Sequence, residues 1–311
     1  MGRHAQHPAD PALSSALSSV QSSVLSSVQF SALSVAQSST RPSALEDPPA
    51  PRDPGAVSPA AARALFRGGL STPTAGWSRG FTQANLIIVP RESAADVRLF
   101  AERNPQACPI LGVLEAGETS GVLLAGGDIR TDLGRYTVYE HGVLVAQPTD
   151  LRDRWRDDLV TFIVGCSFTF EAALQAGGVP VRHIDQGVNV PMYRTTRRCT
   201  FAGALGGPLV VSMRPIPAEQ VLDAVNITSH YPAVHGAPVH SGNPAELGIT
   251  DLARPDFGDA VELAPGDVPV FWACGVTPQA AIMESRPALA FGHAPGHMLI
   301  TDAHDSDYYV P

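Results

Sequence analysis

The sequence predicts an α/β protein of the mixed α+β type, with a layered core and a smaller inserted α+β part. Helical patterns and β-rich apolar runs alternate along the chain, but without the regular strand–helix–strand period of a parallel sheet. The 311 residues, 44% of them apolar, provide ample chain for a large core. No internal repeat is visible in the core.

The first 58 residues are predicted to be a disordered tail. Residues 12–39 contain 12 Ser in 28 positions and no charge. Serine is a poor helix former because its hydroxyl competes for backbone hydrogen bonds. Residues 41–59 contain six Pro, which is typical of an extended linker. We assign the tail no function and place the globular domain at 59–311, where two subdomains are compatible with the pattern.

Local signals predict the elements of this domain in order. Ser58 and Pro59 supply an N-cap and a first-turn proline for a helix that ends at a glycine pair. Glycine at position 142 predicts a hairpin over 135–147. The other predicted helices are 92–103, 155–164, 168–176, 221–228 and 278–284. The predicted strands are a short buried one at 108–114 and β-rich runs at 179–184, 208–213, 268–273 and 297–301.

Charge and composition exclude several classes of function. The net charge of -9 argues against a nucleic-acid partner and against an anionic membrane surface, since both need basic patches. All 21 basic residues are Arg, and the chain contains no Lys. A Schiff-base lysine, the usual kind of pyridoxal phosphate enzyme and a Walker phosphate loop are therefore excluded. Arginine, backbone N–H groups, histidine or a metal must hold any anionic ligand.

Cysteine usage and hydropathy predict a cytoplasmic location. Cys108, Cys166, Cys199 and Cys274 lie far apart and form no C-x-x-C pair, which favours a reducing compartment. No apolar run approaches the length of a membrane span. The N-terminus lacks the basic start, apolar centre and small-residue cleavage site of a secretory signal.

The segment 268–279 is the most informative local feature. An apolar strand leads into Cys274 and Gly275, and Thr277 is the predicted N-cap of a following helix. The free N–H groups and positive dipole end of such a helix suit an anion. The alternative is an ordinary capped helix after a core strand.

A similar turn occurs at Gly165-Cys166-Ser167. Helical N–H groups there would favour the thiolate of Cys166, and Glu171 falls in or near the first helical turn. The alternative is that Cys166 is a small buried apolar residue and that Glu171 only complements the helix dipole.

A dense polar stretch follows at 181–194. Arg182 and Arg194 could clamp a carboxylate while His183 carries a proton. The alternative is a structural ion pair of arginine with Asp185 and a satisfied core histidine. Asn189 and Tyr193 lie in the same stretch.

Arginine and histidine recur in the second half of the chain. Arg214 ends an apolar run, with the same two interpretations. His235 and His293 lie beside turns and are candidates for proton transfer or hydrogen bonding. A metal bound by His235, His240 and His293 with Asp256 or Asp302 stays an alternative, although Pro and Gly interrupt the spacing expected of a zinc protease helix.

Six segments of the chain carry a common set of motifs: GCSFTFEAAL (165–174), PVRHIDQGVNVPMYRT (180–195), GPLVVSMRP (207–215), ITSHYPAVHGAPVH (227–240), PVFWACGVTPQ (269–279) and HAPGHMLITD (293–302). Together they resemble the D-glutamate cyclase family, whose members are also described as hydro-lyases. The resemblance covers about residues 64–302, so the serine-rich tail lies outside it. Ser241 departs from the pattern, since an apolar residue is expected there in relatives.

The resemblance implies conversion of D-glutamate to 5-oxo-D-proline with loss of water. From the chemistry of that reaction we expect Arg182 and Arg194 to hold the carboxylates, His183 to transfer protons and Glu171 to accept the ammonium. No metal and no redox cofactor is required. The other candidate catalytic side chains are Cys166 and His235. The other candidate substrate contacts are Asn189, Tyr193, Arg214, Cys274, Gly275, Thr277 and His293.

Two alternatives stay open. The protein could be a hydro-lyase for another small hydroxy or amino acid, or a carboxylate-binding protein without turnover. In each case the partner is a small carboxylate rather than nucleic acid or membrane. A homo-oligomer is compatible with the sequence.

Overall fold

Two antiparallel sheets form the framework of this computed structural model, which describes residues 49–311. The strands are β1 (Phe81–Pro90), β2 (Ile110–Leu114), β3 (Tyr136–Glu140), β4 (Val143–Ala146), β5 (Leu159–Gly165), β6 (Met192–Arg198), β7 (Pro208–Pro217), β8 (His240–Ser241), β9 (Asp267–Ala273), β10 (Leu289–His293) and β11 (Leu299–His304). The larger sheet has the order β2-β5-β1-β10-β3-β4, with β11 also paired to β1. The smaller sheet has the order β6-β7-β9-β8.

Short helices connect and cover these strands. The α-helices are α1 (Pro59–Arg67), α2 (Arg91–Arg103), α3 (Glu171–Ala176), α4 (Arg182–Gln186), α5 (Val221–Ser229) and α6 (Thr277–Ser285). The larger sheet takes strands from both ends of the described chain, whereas the smaller sheet uses only strands between β5 and β10. This arrangement confirms the predicted mixed α+β fold with a smaller inserted part.

Strand β1 is the centre of the larger sheet and is buried on both faces. Ile87 and Val89 pack with Val97 and Phe100 of α2 on one face, while Leu86 and other residues pack in a second cluster on the opposite face. Because both faces are covered, the strand is almost continuously apolar rather than alternating.

The partners of β1 change along one of its edges. Ile87 and Ile88 pair with β10, and the residues from Phe81 to Ala84 pair with β11. Asn85 and Leu86 therefore lie where one neighbouring strand ends and the other begins. On the opposite edge, β5 pairs continuously with β1 from Ala84 to Pro90.

Several predicted elements are confirmed. Helix α1 begins after Ser58, whose hydroxyl accepts the Ala61 N–H at 3.4 Å. Helices α2, α5 and α6 and the hairpin of β3 and β4 also match their predicted positions. The predicted helix at 168–176 is present as a 3-10 turn over Ser167–Phe170 followed by α3.

Other predictions are wrong. The segment 155–164 is not a helix, because its second half is β5, an inner strand with every residue buried. The segment 179–184 is not a strand, because α4 begins at Arg182. The segments that form β1, β6, β8 and β10 were not predicted as strands. Strand β2 is buried only at Leu114.

Most of the predicted N-terminal tail, residues 1–48, lies outside the described residues. Within the remainder, Pro54–Ala56 forms a 3-10 helix. The Pro54 and Gly55 carbonyls accept the N–H groups of Ser78 and Arg79 at 3.1 and 2.9 Å. In the described part of the chain, no helix is both long and apolar enough to span a bilayer.

Candidate active site

A narrow cleft lies where the ends of strands from both sheets meet. Residues after β5 and after β9 lie on it, as do the first part of β6, the end of β10 and Asn85 of β1. The space inside it that a water molecule can occupy is about 10 Å³, enough for about one water. The lining residues are Asn85, Cys166, Ser167, Phe168, Val190, Met192, Cys274, Gly275, Val276, His293, Gly296 and Met298.

Two thiols line this cleft from different sheets. Cys166 follows β5 and its Sγ accepts the Phe168 N–H at 3.5 Å, while Cys274 follows β9. Burial raises the pKa of Cys274 to about 11, and it raises the pKa of Cys166 well above its ordinary value. The predicted activation of Cys166 as a thiolate is therefore wrong for this structure, because burial outweighs the effect of the Phe168 N–H. Both groups are protonated at neutral pH.

A buried charged cluster lies directly behind the cleft. The Arg214 guanidinium donates to Glu171 Oε1 from Nε at 3.0 Å and from Nη2 at 2.5 Å. His183 Nε2 lies 3.1 Å from the same oxygen. The exposures of Glu171, His183 and Arg214 are 2%, 1% and 0%. The residues predicted at three distant positions therefore form a single cluster, although none of them lines the cleft.

The electrostatics of the cluster favour an ionised carboxylate. Burial alone would raise the pKa of Glu171, but the charges and hydrogen bonds of His183 and Arg214 outweigh burial and hold that pKa below its ordinary value. Glu171 Oε2 has no partner among the described residues. The aromatic rings of Phe170 and Trp272 lie 5.3 and 5.4 Å from the Arg214 Cζ atom and fix the guanidinium in place.

Ser167 connects this cluster to the cleft. Its hydroxyl oxygen accepts a hydrogen bond from Arg214 Nη2 at 3.0 Å, and the residue lines the cleft. Since the oxygen is used as an acceptor, its O–H remains available to donate toward the cleft. This serine was not among the site residues predicted from the sequence, because an arginine 47 positions away produces no local signal.

Asn85 is a second residue that was not predicted from the sequence. Its Nδ2 donates to the Gly165 carbonyl at 2.5 Å, and the side chain packs against the backbone of Gly275. The available signal was an amide directly before the apolar run LIIV (86–89) of β1. Asn85 thereby holds together the two turns that carry the cleft thiols.

His293 lies at the end of β10 and is fully buried. Its Nδ1 accepts the Leu86 N–H at 3.0 Å, and burial lowers its pKa to about 3. His235 is also fully buried, with Nδ1 2.8 Å from the Gln106 carbonyl oxygen, and burial lowers its pKa to about 4. His293 lines the cleft, whereas His235 does not.

Asn189 packs against Gly296, a residue that lines the cleft, but is not itself one of the lining residues. It donates from Nδ2 to the Pro295 carbonyl at 3.1 Å, and its Oδ1 has no partner among the described residues. An unpaired acceptor of this kind suits a donor group on a ligand.

The structure does not bring the two predicted clamp arginines to the cleft. Arg182 donates to both oxygens of Asp267, at 3.0 and 2.8 Å, rather than to Asp185. Arg194 lies over the Phe257 ring, at 5.1 Å, and lines a different cavity of about 300 Å³ together with Tyr193. Within the described residues, Arg182, Arg194 and the turn at Gly275 therefore do not form a single pocket.

Thr277 also differs from its predicted role. Its hydroxyl bonds to the Val210 backbone, donating to the carbonyl at 3.2 Å and accepting the N–H at 3.0 Å. Thr277 is the first residue of α6 and Val276 precedes it, so the threonine fixes the helix to β7 instead of capping it. Gly275 and Val276 remain at the cleft, in front of the helix N-terminus.

No group of three or more His, Cys, Asp or Glu side chains is arranged to hold a metal ion within residues 49–311. His240 Nε2 bonds instead to the Asn243 carbonyl oxygen at 2.9 Å.

Comparison with known proteins gives consistent similarities. The profile of the D-glutamate cyclase family matches residues 160–302. The chain is 66% identical to a "Putative hydro-lyase" of Mycolicibacterium gilvum over 259 residues, covering 83% of this chain and 99% of that protein. It is also 66% identical to a "Putative hydro-lyase" of Saccharopolyspora erythraea, covering 82% of this chain and 100% of that protein. A crystal structure of a nitrogen repressor-like protein from Methanococcus jannaschii aligns with a TM-score of 0.33 and 9% identity, over 78% of this chain and 97% of that one, and supports no conclusion.

Proposed function

Because the chain belongs to the D-glutamate cyclase family, we propose that it is a hydro-lyase whose cleft binds a small amino dicarboxylate and removes water from it. The favoured reaction is the cyclisation of D-glutamate to 5-oxo-D-proline. In that reaction the amino nitrogen attacks the γ-carboxyl carbon, a C–N bond forms and a C–O bond breaks.

The proton balance of this reaction suits a closed cleft. An ammonium group loses two protons, and the departing oxygen gains two protons to leave as water. No net proton is exchanged with solvent, so the site needs only to relay protons between neighbouring atoms. Neutral groups that can donate and accept, such as the Ser167 hydroxyl and the Cys166 and Cys274 thiols, are suited to this relay.

The observation that carries the proposal is the contact of Arg214 with Ser167. A cation that donates to a hydroxyl oxygen makes that hydroxyl a better proton donor. Ser167 is thus placed to protonate the departing oxygen, while Glu171 keeps the buried guanidinium electrically balanced. The N-terminus of α6, behind Gly275 and Val276, would stabilise the negative charge on the attacked carboxyl group. The free Oδ1 of Asn189 would accept from the substrate ammonium.

Because the attack is intramolecular, the protein does not have to bring two separate molecules together. The two reacting groups belong to one small molecule, so holding it in a folded conformer replaces much of the entropic cost. The remaining task is to stabilise charge and move protons.

The test is conversion of D-glutamate by the purified full chain, followed as loss of one water by mass spectrometry and compared with the rate without protein. L-Glutamate and small hydroxy acids form the comparison panel. We expect Ser167→Ala to reduce turnover about 100-fold, while the exposed Ser229→Ala control retains it. Water loss from a different acid would replace the cyclase assignment with another hydro-lyase. Saturable binding without any water loss would favour a carboxylate-binding protein.

A further inference from the structure

Where the partner strand of β1 changes, one backbone N–H of β1 donates its hydrogen bond to a side chain instead of to a strand carbonyl. The Leu86 N–H lies between the segment of β1 that pairs with β10 and the segment that pairs with β11. It donates to Nδ1 of His293 at 3.0 Å. The imidazole thus takes the place of a strand carbonyl in the sheet.

The contacts of Nδ1 indicate the position of the ring proton. Nδ1 lies 3.0 Å from the Leu86 nitrogen and 3.0 Å from Gln279 Nε2, both donors, and only 3.4 Å from the Leu86 carbonyl oxygen, so the two shorter contacts favour a lone pair rather than a hydrogen on Nδ1. The neutral ring then holds its proton on Nε2. A second proton on Nδ1 would point at the Leu86 N–H, so the geometry opposes the imidazolium form. Complete burial acts in the same direction, because it disfavours the charged ring.

Gln279 and Tyr139 maintain this arrangement. The Tyr139 hydroxyl donates to Gln279 Oε1 at 2.9 Å, and Gln279 Nε2 donates to the His293 carbonyl at 2.9 Å. The reversed amide would place two acceptor oxygens 2.9 Å apart, so the nitrogen must face His293. That nitrogen lies 3.0 Å from Nδ1 and 3.5 Å from Nε2. As a donor it cannot accept the Nε2 proton, which has no acceptor among the described residues.

The unpaired Nε2–H belongs to a residue that lines the cleft with Asn85, Cys166 and Cys274. We infer that His293 is a permanently neutral hydrogen-bond donor, which gives its Nε2–H to a carboxylate or carbonyl oxygen of the substrate. Leu86 and Gln279 act as positioning residues that hold the ring in this state. The inference rests on the proposed function for the identity of the acceptor, but the protonation state of the ring can be tested without turnover.

The first experiment is 15N NMR of the full chain labelled with 15N-histidine, from pH 5 to 8. The His293 signals are assigned by their loss in His293→Asn. We expect Nδ1 to resonate as an unprotonated nitrogen and Nε2 as a protonated one, without titration across this range. Addition of glutarate, a dicarboxylate that cannot cyclise, is expected to shift the Nε2 signal. A proton on Nδ1, titration within the range or a glutarate-insensitive Nε2 signal would overturn the inference.

The second experiment uses a matched pair of variants. In His293→Asn the new side-chain oxygen can accept the Leu86 N–H, but the shorter side chain does not reach the cleft as the ring does. His293→Gln keeps a donor near the position of Nε2. We expect the Asn variant to lose about 100-fold in glutarate affinity or D-glutamate turnover and the Gln variant to lose less. His297→Asn, at a neighbouring histidine outside the cleft lining, is the control.

The two experiments distinguish a failure of this inference from a failure of the proposed function. If the wild-type chain does not convert D-glutamate but the NMR and glutarate results hold, the cyclase assignment fails and the role of His293 stands. If D-glutamate is converted and both variants match the wild type, the inference is wrong and the proposed function stands.

Discussion

Gly275 and Asn85 fit against each other so closely that a Cβ atom at position 275 would overlap the Asn85 side-chain amide. Asn85 is itself bonded to the Gly165 carbonyl, so it has little freedom to move away. This contact joins the turn after β9 to the centre of the larger sheet.

Gly275→Ala is therefore expected to destabilise the protein by about 1–3 kcal/mol, the usual cost of overpacking. The measurement is the free energy of unfolding in urea. Gly134→Ala is the control, because a Cβ there would meet its nearest atoms at 3.4 Å, an ordinary contact. Combining Gly275→Ala with Asn85→Ala should recover part of the loss. Strictly additive effects of the two substitutions would contradict the contact.

Removing the buried carboxylate of Glu171 should lower the free energy of unfolding far more than removing an exposed carboxylate. Glu171→Gln leaves the guanidinium of Arg214 buried without a counter-ion, and we expect a loss of about 3–5 kcal/mol. The matched control is Asp158→Asn, which breaks an exposed pair with Arg156 and is expected to have a much smaller effect, because water screens that pair. Similar losses for the two variants in urea unfolding would show that the buried charge is compensated in some other way.

The buried histidines His235 and His293 should lower the free energy of unfolding as the pH decreases from 7 to 5. Asp305, whose pKa is raised by burial to about 7, acts in the opposite direction and offsets part of that loss. The pKa values of His235 and His293 are lowered to about 4 and about 3, so at these two sites the folded protein binds fewer protons than the unfolded chain below pH 6.5. Their contribution is fully present above the unfolded pKa and is lost as the pH falls toward the folded values. Each of the two histidines is expected to lower the free energy of unfolding by about 2 kcal/mol between pH 7 and pH 5.

His235→Asn isolates one of these contributions. The Asn amide can still donate to the Gln106 carbonyl but does not titrate, so the variant should lose about 2 kcal/mol less than the wild type over the same pH range. Glu171 does not interfere, because its pKa lies below its ordinary value and its contribution is lost only at lower pH. Equal pH slopes for the two proteins in urea unfolding would refute this assignment.

The cleft thiols should react slowly in the folded protein. Burial raises the pKa of Cys166 and Cys274, and the thiolate is the form that alkylating reagents attack. We expect iodoacetamide at about pH 7.5 to label both residues at least about 100-fold more slowly in the native protein than in urea. Peptide mass spectrometry of a time course measures the two rates. Rapid native labelling of either cysteine would show that its thiol is accessible and ionised.

Local signals were sufficient to predict many elements but not the buried strands. Ser58 and Pro59 identify the start of α1 because an N-cap acts within a few residues. Strand β5 was predicted as a helix because a short, fully apolar run has no distinctive period. Only its neighbours β1 and β2, contributed by distant segments, make it a strand.

Local sequence signals were also insufficient to predict how the site is assembled. Glu171, His183 and Arg214 were all predicted as functional residues, but their shared contact depends on how β7 packs against α3 and α4. Arg182 looked equivalent to Arg214 in the sequence, and it differs because Asp267 lies within its reach. The residue type therefore suggested the chemistry, and long-range packing decided which arginine stands behind the cleft.

If the cleft binds the proposed dicarboxylate, its narrowness should limit the rate at which the ligand enters. Phe168, Met192 and Met298 occupy much of its wall, and a dicarboxylate is far larger than the single water that fits between them. Entry must await an excursion of these side chains, in which flexible methionines are the easiest to displace. The rate of association would then level off at high ligand concentration, at the frequency with which the wall parts, instead of rising in proportion to the number of collisions.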